Sequence, residues 1–332
     1  MVRLICEDRR VFDPGAVSAE TRKFNSHVEK MLAKLPPKHT RRPEELREGT
    51  ESGKDWMGPY KRLQEAKDRV VSASGRSVTV RIVIPPDPKG VYLHTHGGGF
   101  VLMRPFHFDE LLVATANNSK LAVVSVDYRL APEDPYPAAA DDCETAALWL
   151  IKNAQKEFST TRLLIGGESA GANLAAVTLV RMREKHRFSG FSGANLVFGC
   201  FDLSMTPSQR NWGEDSRLLS TRDIEWFTGH YIPNPEMRRN HDCSPLYADL
   251  SRMPPALFTV GTRDPFLDDT LFMHARWIAA GNHSDLAIYA GCTHMFTSFP
   301  IDIAKEANRR IFKFLSGTAH STLSPAKKSG RR

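Results

Sequence analysis

An apolar run that ends in a serine flanked by glycines constrains the fold of this chain more than any other feature. Residues 163–165 are Leu-Leu-Ile, residues 166–171 are Gly-Gly-Glu-Ser-Ala-Gly, and an alanine-rich stretch follows. Residues 167–171 fit G-x-S-x-G, the sharp strand-to-helix turn that lifts a serine Oγ away from the backbone. Glycines are needed on both sides because a side chain there would collide with a neighbouring strand. The stretch predicts a strand, a turn that exposes Ser169, and a helix beginning at Ala170.

Apolar runs and helical segments alternate along much of the chain. The strand-like runs span residues 78–84, 91–95, 121–126, 162–165, 196–198, 256–260 and 286–289, and the helical segments span 138–151, 170–183, 271–280 and 303–315. Continuous apolar strands separated by helices are typical of a mostly parallel sheet with helices on both faces. We therefore predict an α/β fold. Before the sheet, residues 16–66 predict about two amphipathic helices, interrupted at Pro36-Pro37.

Three consecutive glycines follow the strand-like run at 91–95. The sequence His96-Gly97-Gly98-Gly99 exposes backbone N–H groups that no side chain shields, as an oxyanion hole requires. A flexible loop or a phosphate-cradling loop are the alternatives. No G-x-x-x-x-G-K-[ST] or G-x-G-x-x-G pattern surrounds these glycines, which disfavours phosphate binding. We expect His96 to form a local hydrogen bond that holds this loop.

A serine nucleophile needs a base and a group that orients the base. Asp264 follows the apolar run 256–260, and His294 follows the run 286–289, so both lie where parallel strands keep their ligands. Asp268 and Asp269 are rivals for the acid, although carboxylates in the first turn of a helix often only favour its dipole. His274 and His283 are better explained as surface or hydrogen-bonded histidines.

Metal binding and disulfides are both disfavoured by the spacing of the ligand-type residues. His94 and His96 would share one face of a strand, but no third ligand cluster accompanies them. The five cysteines, an odd number and widely spaced, form no C-x-x-C pair, which indicates free thiols in a reducing compartment: Cys6, Cys143, Cys200, Cys243 and Cys292. We expect no cofactor and no metal.

The net charge of +7 does not predict nucleic-acid binding, because it is unevenly placed. Residues 316–332 carry four basic residues and no acidic one, which leaves about +3 for the rest of the chain. We interpret this stretch as a disordered basic tail. No apolar run is long enough to span a membrane, and the first fourteen residues do not resemble a secretory signal, so we predict a cytoplasmic protein.

Several motifs together carry a family resemblance. His96-Gly97-Gly98-Gly99, the segment 127–133 (DYRLAPE), Gly167 to Gly171, the segment 264–268 (DPFLD) and His294 occur in the order seen in hormone-sensitive-lipase-like esterases. This group is the bacterial lipolytic family IV of the α/β-hydrolase fold. The resemblance extends from about residue 60 to 315. Glu168 stands where Asp is more usual, a change that the family tolerates. Phe266 and Met295 stand where Leu and Gly are more usual; neither change removes a catalytic group, and we expect both to reshape the pocket floor.

The resemblance implies a site and a domain plan. It implies a catalytic triad of Ser169, Asp264 and His294, and an oxyanion hole from the N–H groups of Gly97, Gly98, Gly99 and Ala170, with Gly98 and Gly99 the favoured loop donors. It implies an α/β-hydrolase core at 61–200 and 251–315. Residues 1–60 would form an N-terminal helical cap segment and 201–250 a cap insertion. Within the insertion, Trp226, Phe227 and Tyr231 either line an acyl pocket or pack a small cap core.

These features predict a serine carboxylesterase for small ester substrates with short to medium acyl chains. An amidase or another acyl-transfer hydrolase on the same triad is an alternative. A non-catalytic ligand receptor on this fold, similar to the plant gibberellin receptors, is disfavoured because those lack the triad histidine, whereas His294 is present. A homodimer is compatible with the exposed edge strands of such a fold.

Overall fold

Eight strands form one twisted sheet at the centre of the molecule. The computed structural model describes residues 9–54, 58–214 and 218–320. The sheet has the strand order β1-β2-β4-β3-β5-β6-β7-β8. The strands are β1 Ala66–Ala73, β2 Arg76–Val83, β3 Val91–Thr95, β4 Ala122–Asp127, β5 Leu163–Glu168, β6 Phe191–Val197, β7 Ala256–Arg263 and β8 Ser284–Thr293.

One strand breaks an otherwise parallel arrangement. β2 is antiparallel to both β1 and β4, whereas all the pairs from β4 through β3, β5, β6 and β7 to β8 are parallel. The carboxyl ends of the parallel strands therefore meet at one edge of the sheet, which is where open α/β sheets bind their ligands.

Helices cover both faces of the sheet. They are α1 Ala19–Leu32, α2 Pro43–Glu51, α3 Asp109–Ser119, α4 Ala138–Phe158, α5 Ala170–His186, α6 Pro207–Arg210, α7 Thr221–Tyr231, α8 Leu267–Ala279 and α9 Asp302–His320. Alternate residues of β4 join different apolar clusters, since Val124 packs with α4 and α5 and Val123 packs with α3 and α9. This two-sided burial explains why β4 reads as a continuous apolar run, and it confirms the predicted α/β class.

Some elements differ from the sequence prediction. β1 was not predicted, because it is a polar edge strand in which four consecutive residues, 67–70, are exposed. It is held by a hairpin at Ser74 and Gly75, both with positive φ. α3 was also missed. α9 continues to His320, past residue 315, where we expected a disordered tail to begin. The rest of that tail, 321–332, lies outside the described residues.

The N-terminal segment and the insertion 201–250 contact each other beside the carboxyl ends of the strands. Lys38 Nζ donates to the Leu218 carbonyl at 2.6 Å, and the backbone N–H of His39 donates to Asp223 Oδ1 at 3.0 Å. α1 instead contacts the end of β8, where Asn25 Nδ2 donates to the Gly291 carbonyl at 2.8 Å. The division into core and cap stays a prediction that these contacts support. In the described part of the chain, no helix is long and apolar enough to cross a membrane.

A buried ion pair joins β2 to the start of α3. The guanidinium of Arg81 donates to both carboxylate oxygens of Asp109, at 2.5 Å and 2.6 Å, and Asp109 also accepts the backbone N–H of Leu63 at 2.7 Å. Asp109 is fully buried, whereas the second partner of Arg81, Asp68, is half exposed. Removing Asp109 would leave a buried guanidinium with only a solvent-exposed partner.

We predict that Asp109→Ala lowers the free energy of unfolding by about 3–5 kcal/mol, as expected when one member of a buried pair is removed. Asp68→Ala is the matched control, because it removes a carboxylate from the same guanidinium at the surface and should cost less than about 1 kcal/mol. Urea denaturation of both variants measures the difference. Equal losses would contradict the assignment of Asp109 as the structural partner.

Candidate active site

Ser169 lies at a strained turn between β5 and α5. Its backbone has φ 56° and ψ −120°, a conformation that costs a non-glycine residue about 1–3 kcal/mol and is common at functional sites. A Cβ on either Gly167 or Gly171 would overlap the backbone carbonyl of Thr95 at the end of β3. The glycines of the motif are therefore required by the close approach of β3 to the turn.

His294 and Asp264 lie next to Ser169. His294 Nε2 is 3.0 Å from Ser169 Oγ, and His294 Nδ1 is 3.0 Å from Asp264 Oδ2. Each residue comes directly after the end of its strand, β8 for His294 and β7 for Asp264. Asp264 is fully buried, and its Oδ1 accepts the backbone N–H of Phe266 at 2.9 Å. The three predicted residues thus form one hydrogen-bonded chain.

The two rival aspartates have other partners. Asp269 is fully buried and accepts four hydrogen bonds from the start of the insertion, given by the backbone N–H groups of Phe201 and Asp202 and by the side chains of Thr206 and Gln209. Burial raises the pKa of Asp269 to about 7. Asp268 accepts the backbone N–H of Ser208 at 2.8 Å. Both carboxylates attach the insertion to α8, a role more specific than the expected interaction with the helix dipole.

The glycine loop lies against the serine turn. A Cβ on Gly97 would be 3.1 Å from the Glu168 carbonyl oxygen, and one on Gly98 would overlap the Leu102 carbonyl. Gly98 and Gly99 both have positive φ, 125° and 62°. Among the described residues, the backbone N–H groups of all four predicted donors, Gly97, Gly98, Gly99 and Ala170, have no hydrogen-bond acceptor. These N–H groups are therefore available to a bound oxygen atom.

The histidines near this loop have structural partners. His96 Nδ1 is 2.7 Å from the Gly97 carbonyl, as expected, and the ring stacks on Tyr128 with centroids 4.1 Å apart. His94 lies between Ser125 Oγ at 2.8 Å and Glu168 Oε2 at 2.9 Å. In the ranges that the structure describes, no group of three or more His, Cys, Asp or Glu side chains is arranged to hold a metal ion.

A partly enclosed cavity of about 1150 Å³ lies above Ser169 and His294. Both cap segments contribute to its mostly apolar wall, with residues such as Leu32, Leu46, Leu218, Leu219, Ile224 and Phe227. Phe227 therefore lines the cavity, whereas Tyr231 is buried and stacks on Phe100 with ring centroids 3.9 Å apart. Trp226 packs against the edge of the core.

The residues that depart from the family pattern surround His294. The Phe266 ring meets the His294 ring edge-to-face at 5.1 Å, and Met295 has φ 63° and lines the cavity. Cys292 is a buried free thiol whose pKa burial raises to about 12, as expected for an inert cysteine. Cys143, Cys200 and Cys243 are also free, and Cys6 lies outside the described residues.

Two site contacts were not found from the sequence. Within the segment 127–133, Arg129 binds Asp142 at 2.9 Å, and Glu133 binds Arg47 of α2 through two hydrogen bonds of 2.8 Å. The pair His94–Glu168 was also missed. In both pairs the partners are far apart in sequence, so no local motif predicts the contact. The one sequence feature that pointed to either pair is the unusual Glu at position 168.

We predict that His96 makes stability depend on pH. Burial lowers the pKa of His96 to about 3, whereas an unfolded histidine titrates near about 6.5. Between these values only the unfolded chain binds the proton, so the free energy of unfolding falls by about 1.4 kcal/mol for each unit by which pH decreases from 6.5 towards 3.

His96→Asn tests this, because an amide can donate to the Gly97 carbonyl without titrating. Urea denaturation of both proteins at pH 7 and pH 5 should show the stability difference between them shrinking, or reversing, at the lower pH. A difference that is the same at both pH values would show that His96 is not the responsible group.

Comparison with known proteins agrees with this architecture. A family model described as the alpha/beta hydrolase fold matches residues 92–298. Carboxylesterase NlhH of Mycobacterium tuberculosis is 31% identical over 281 residues, which cover 79% of this chain and 85% of NlhH. Ethyl acetate hydrolase of Pseudomonas putida is 29% identical over 235 residues, 68% of this chain and 74% of that protein.

A further relative matches over a shorter part of its length, and a solved structure matches over nearly all of its chain. Carboxylic ester hydrolase LipN of Mycobacterium tuberculosis is 36% identical over 208 residues, 60% of this chain and only about half, 55%, of LipN. The solved structure of a hyperthermophilic esterase from the archaeon Pyrobaculum calidifontis superposes with a TM-score of 0.80 at 27% identity, covering 90% of this chain and 98% of that one. The chain belongs to the α/β-hydrolase family, within its hormone-sensitive-lipase-like esterase group.

Proposed function

We propose that this protein is a serine carboxylesterase that hydrolyses short- to medium-chain esters through an acyl-enzyme on Ser169. The observation that carries the proposal is the chain of two 3.0 Å hydrogen bonds from Ser169 Oγ through His294 to the buried Asp264. This arrangement activates a hydroxyl group for attack on a carbonyl carbon. The names of the relatives, which include a carboxylesterase and an ethyl acetate hydrolase, support an ester as the substrate.

In the first half of the reaction, Ser169 Oγ attacks the ester carbonyl carbon while His294 Nε2 takes the hydroxyl proton. Asp264 holds Nδ1 and stabilises the imidazolium that forms. The carbonyl oxygen becomes an oxyanion, which the N–H groups of Ala170 and the glycine loop stabilise, with Gly98 and Gly99 favoured over Gly97 as the loop donors. As the tetrahedral intermediate collapses, His294 gives the proton to the leaving alkoxide, and the alcohol departs.

In the second half, water takes the place of the alcohol. His294 Nε2 removes a proton from the water as its oxygen attacks the acyl-enzyme, and the same N–H groups stabilise the second oxyanion. When this intermediate collapses, Ser169 Oγ leaves and recovers its proton from His294, releasing the carboxylic acid. The proposed reaction uses no metal and no organic cofactor. A cytoplasmic location and a homodimer stay predictions.

The cavity supports an acyl group of limited size. Its volume of about 1150 Å³ and its mostly apolar wall suit an apolar ester, and ligand sites of about 300–1000 Å³ hold molecules of drug size. Long acyl chains would have to pass between the two cap segments, which are joined by the hydrogen bonds of Lys38 and His39. We therefore expect turnover to decline for the longest chains.

Activity should depend on Ser169 as the nucleophile. Hydrolysis of p-nitrophenyl esters from C2 to C16 should peak at short or medium chains in the wild type, and Ser169→Ala should lower kcat by at least about 10⁴-fold. The p-nitroanilide of the best acyl chain, measured beside the ester, separates an esterase from an amidase. A folded wild type that is inert across the series, or a fully active Ser169→Ala, would refute the proposal.

Substitution should show which aspartate, Asp264 or Asp268, is the acid of the triad. Asp264→Asn should keep the fold but favour the wrong histidine tautomer, which lowers kcat by about 10⁴-fold. Asp268→Asn is the control, since it alters a neighbouring carboxylate that binds Ser208 of the insertion, and it should change kcat by less than about threefold. Comparable loss in both variants would mean that Asp264 is not the acid of the triad.

A further inference from the structure

The glycine loop has a backbone that cannot hold its shape unaided. Gly98, Gly99, Phe100 and Met103 all have positive φ, between 62° and 125°. Two of these residues carry side chains, for which this conformation is unfavourable. Strained backbone of this kind persists only when surrounding contacts determine it. Contacts from outside the loop must therefore hold it in this shape.

Part of the support comes from the core and from α7. The Gly98 carbonyl accepts the N–H groups of Val101 and Leu102 at 3.1 Å and 2.8 Å, and the Phe100 carbonyl accepts the N–H of Ala131 at 3.0 Å. On the cap side, the Phe100 ring stacks on Tyr231. These contacts leave the carbonyl groups of Val101 and Ala131 facing the N-terminal segment.

Arg47 on α2 binds both of those carbonyl groups. Its Nε donates to the Val101 carbonyl at 2.8 Å, and its Nη2 donates to the Ala131 carbonyl at 2.6 Å. The same guanidinium forms the two-bond pair with Glu133, which lowers the pKa of that carboxyl. One planar group therefore joins the loop to the segment beside it. A lysine could not reproduce this, because it is a point charge without a fork of donors.

Packing of α2 alone does not account for this pattern. Leu46 and Thr50 are buried and already fix the helix on the core. The hydrogen bonds of Arg47 go instead to backbone carbonyls next to the glycine loop. Val101 also donates its own N–H to the Gly98 carbonyl. Arg47 therefore binds a residue that is itself hydrogen-bonded to Gly98, one of the candidate oxyanion donors.

We propose that Arg47 is a positioning residue for the oxyanion hole, by which the N-terminal segment keeps the N–H groups of Gly98 and Gly99 aligned during ester hydrolysis. This inference rests on the proposed function. In the described part of the chain, Arg47 forms no hydrogen bond with Ser169 and does not line the cavity above it. Its effect should appear where the oxyanion forms, in kcat rather than in KM, because the loop shape matters most in the transition state.

The test compares four variants of the full chain. Arg47→Ala removes the guanidinium, and Arg47→Lys keeps the charge and the aliphatic stem without the fork. Glu133→Gln leaves both carbonyl contacts of Arg47 intact. Arg42→Ala is the matched control, since Arg42 precedes the same helix but is mostly exposed and pairs with Glu45 of that helix. The activity of each variant is measured with the best p-nitrophenyl ester. Ser169→Ala is measured alongside as the test of the proposed function.

A trifluoromethyl ketone gives an independent measurement. Ser169 Oγ adds to its carbonyl carbon, the hydroxyl proton moves to His294, and the carbonyl oxygen becomes an oxyanion that needs the same N–H groups. Arg47→Ala and Arg47→Lys should lower kcat by about 10- to 100-fold, less than loss of a complete donor, with KM within about threefold. Their affinity for the ketone should fall in proportion. Glu133→Gln and Arg42→Ala should stay within about threefold of the wild type.

Unchanged kcat and ketone affinity in the Arg47 variants would overturn the inference, and so would a rise in KM alone, which would make Arg47 part of the pocket wall. If Arg47→Ala does not fold, Arg47→Lys decides by the same criteria. A wild type that is inert, or a Ser169→Ala variant that stays active, would instead refute the proposed function, so the two failures are distinguishable.

Discussion

The close approach of β3 to the serine turn is the constraint on which the rest of the site depends. The Thr95 carbonyl lies where a Cβ of Gly167 or Gly171 would be, and Thr95 Oγ1 donates to the Gly171 carbonyl at 2.6 Å. Because Thr95 ends β3, the next four residues are the glycine loop, which is thereby brought beside Ser169. One backbone contact therefore sets the nucleophile and the candidate oxyanion donors at a fixed separation, before any cap residue contributes.

Contacts that follow from local sequence could be predicted, and contacts between distant segments could not. The turn at Ser169, the glycine loop and the positions of Asp264 and His294 after their strands all follow from short motifs and from the parallel sheet. β1 escaped prediction because an exposed edge strand has no continuous apolar run. The four hydrogen bonds accepted by Asp269 escaped it because their donors lie about 60 residues away, at the start of the insertion.

The cap is attached to the core through the same residues that flank the site. Asp269 comes five residues after Asp264 and binds the start of the insertion. Phe227 of α7 lies so close to the glycine loop that a Cβ on Gly99 would overlap its ring. Arg47 of α2 binds the carbonyl that follows Phe100. Each predicted cap element thus contacts a segment that carries, or adjoins, a candidate catalytic group.

This arrangement limits how the cap can vary. Cavity side chains such as Leu218 and Ile224, which also pack in the apolar core clusters, can change in size to admit a different ester at the cost of local packing. A change at Phe227 would alter the cavity and release the ring from the Gly99 backbone at the same time. At Leu218 and Ile224, substrate range can therefore change without a change in turnover. At Phe227 the two change together, because the glycine loop has strained φ angles that depend on its neighbours.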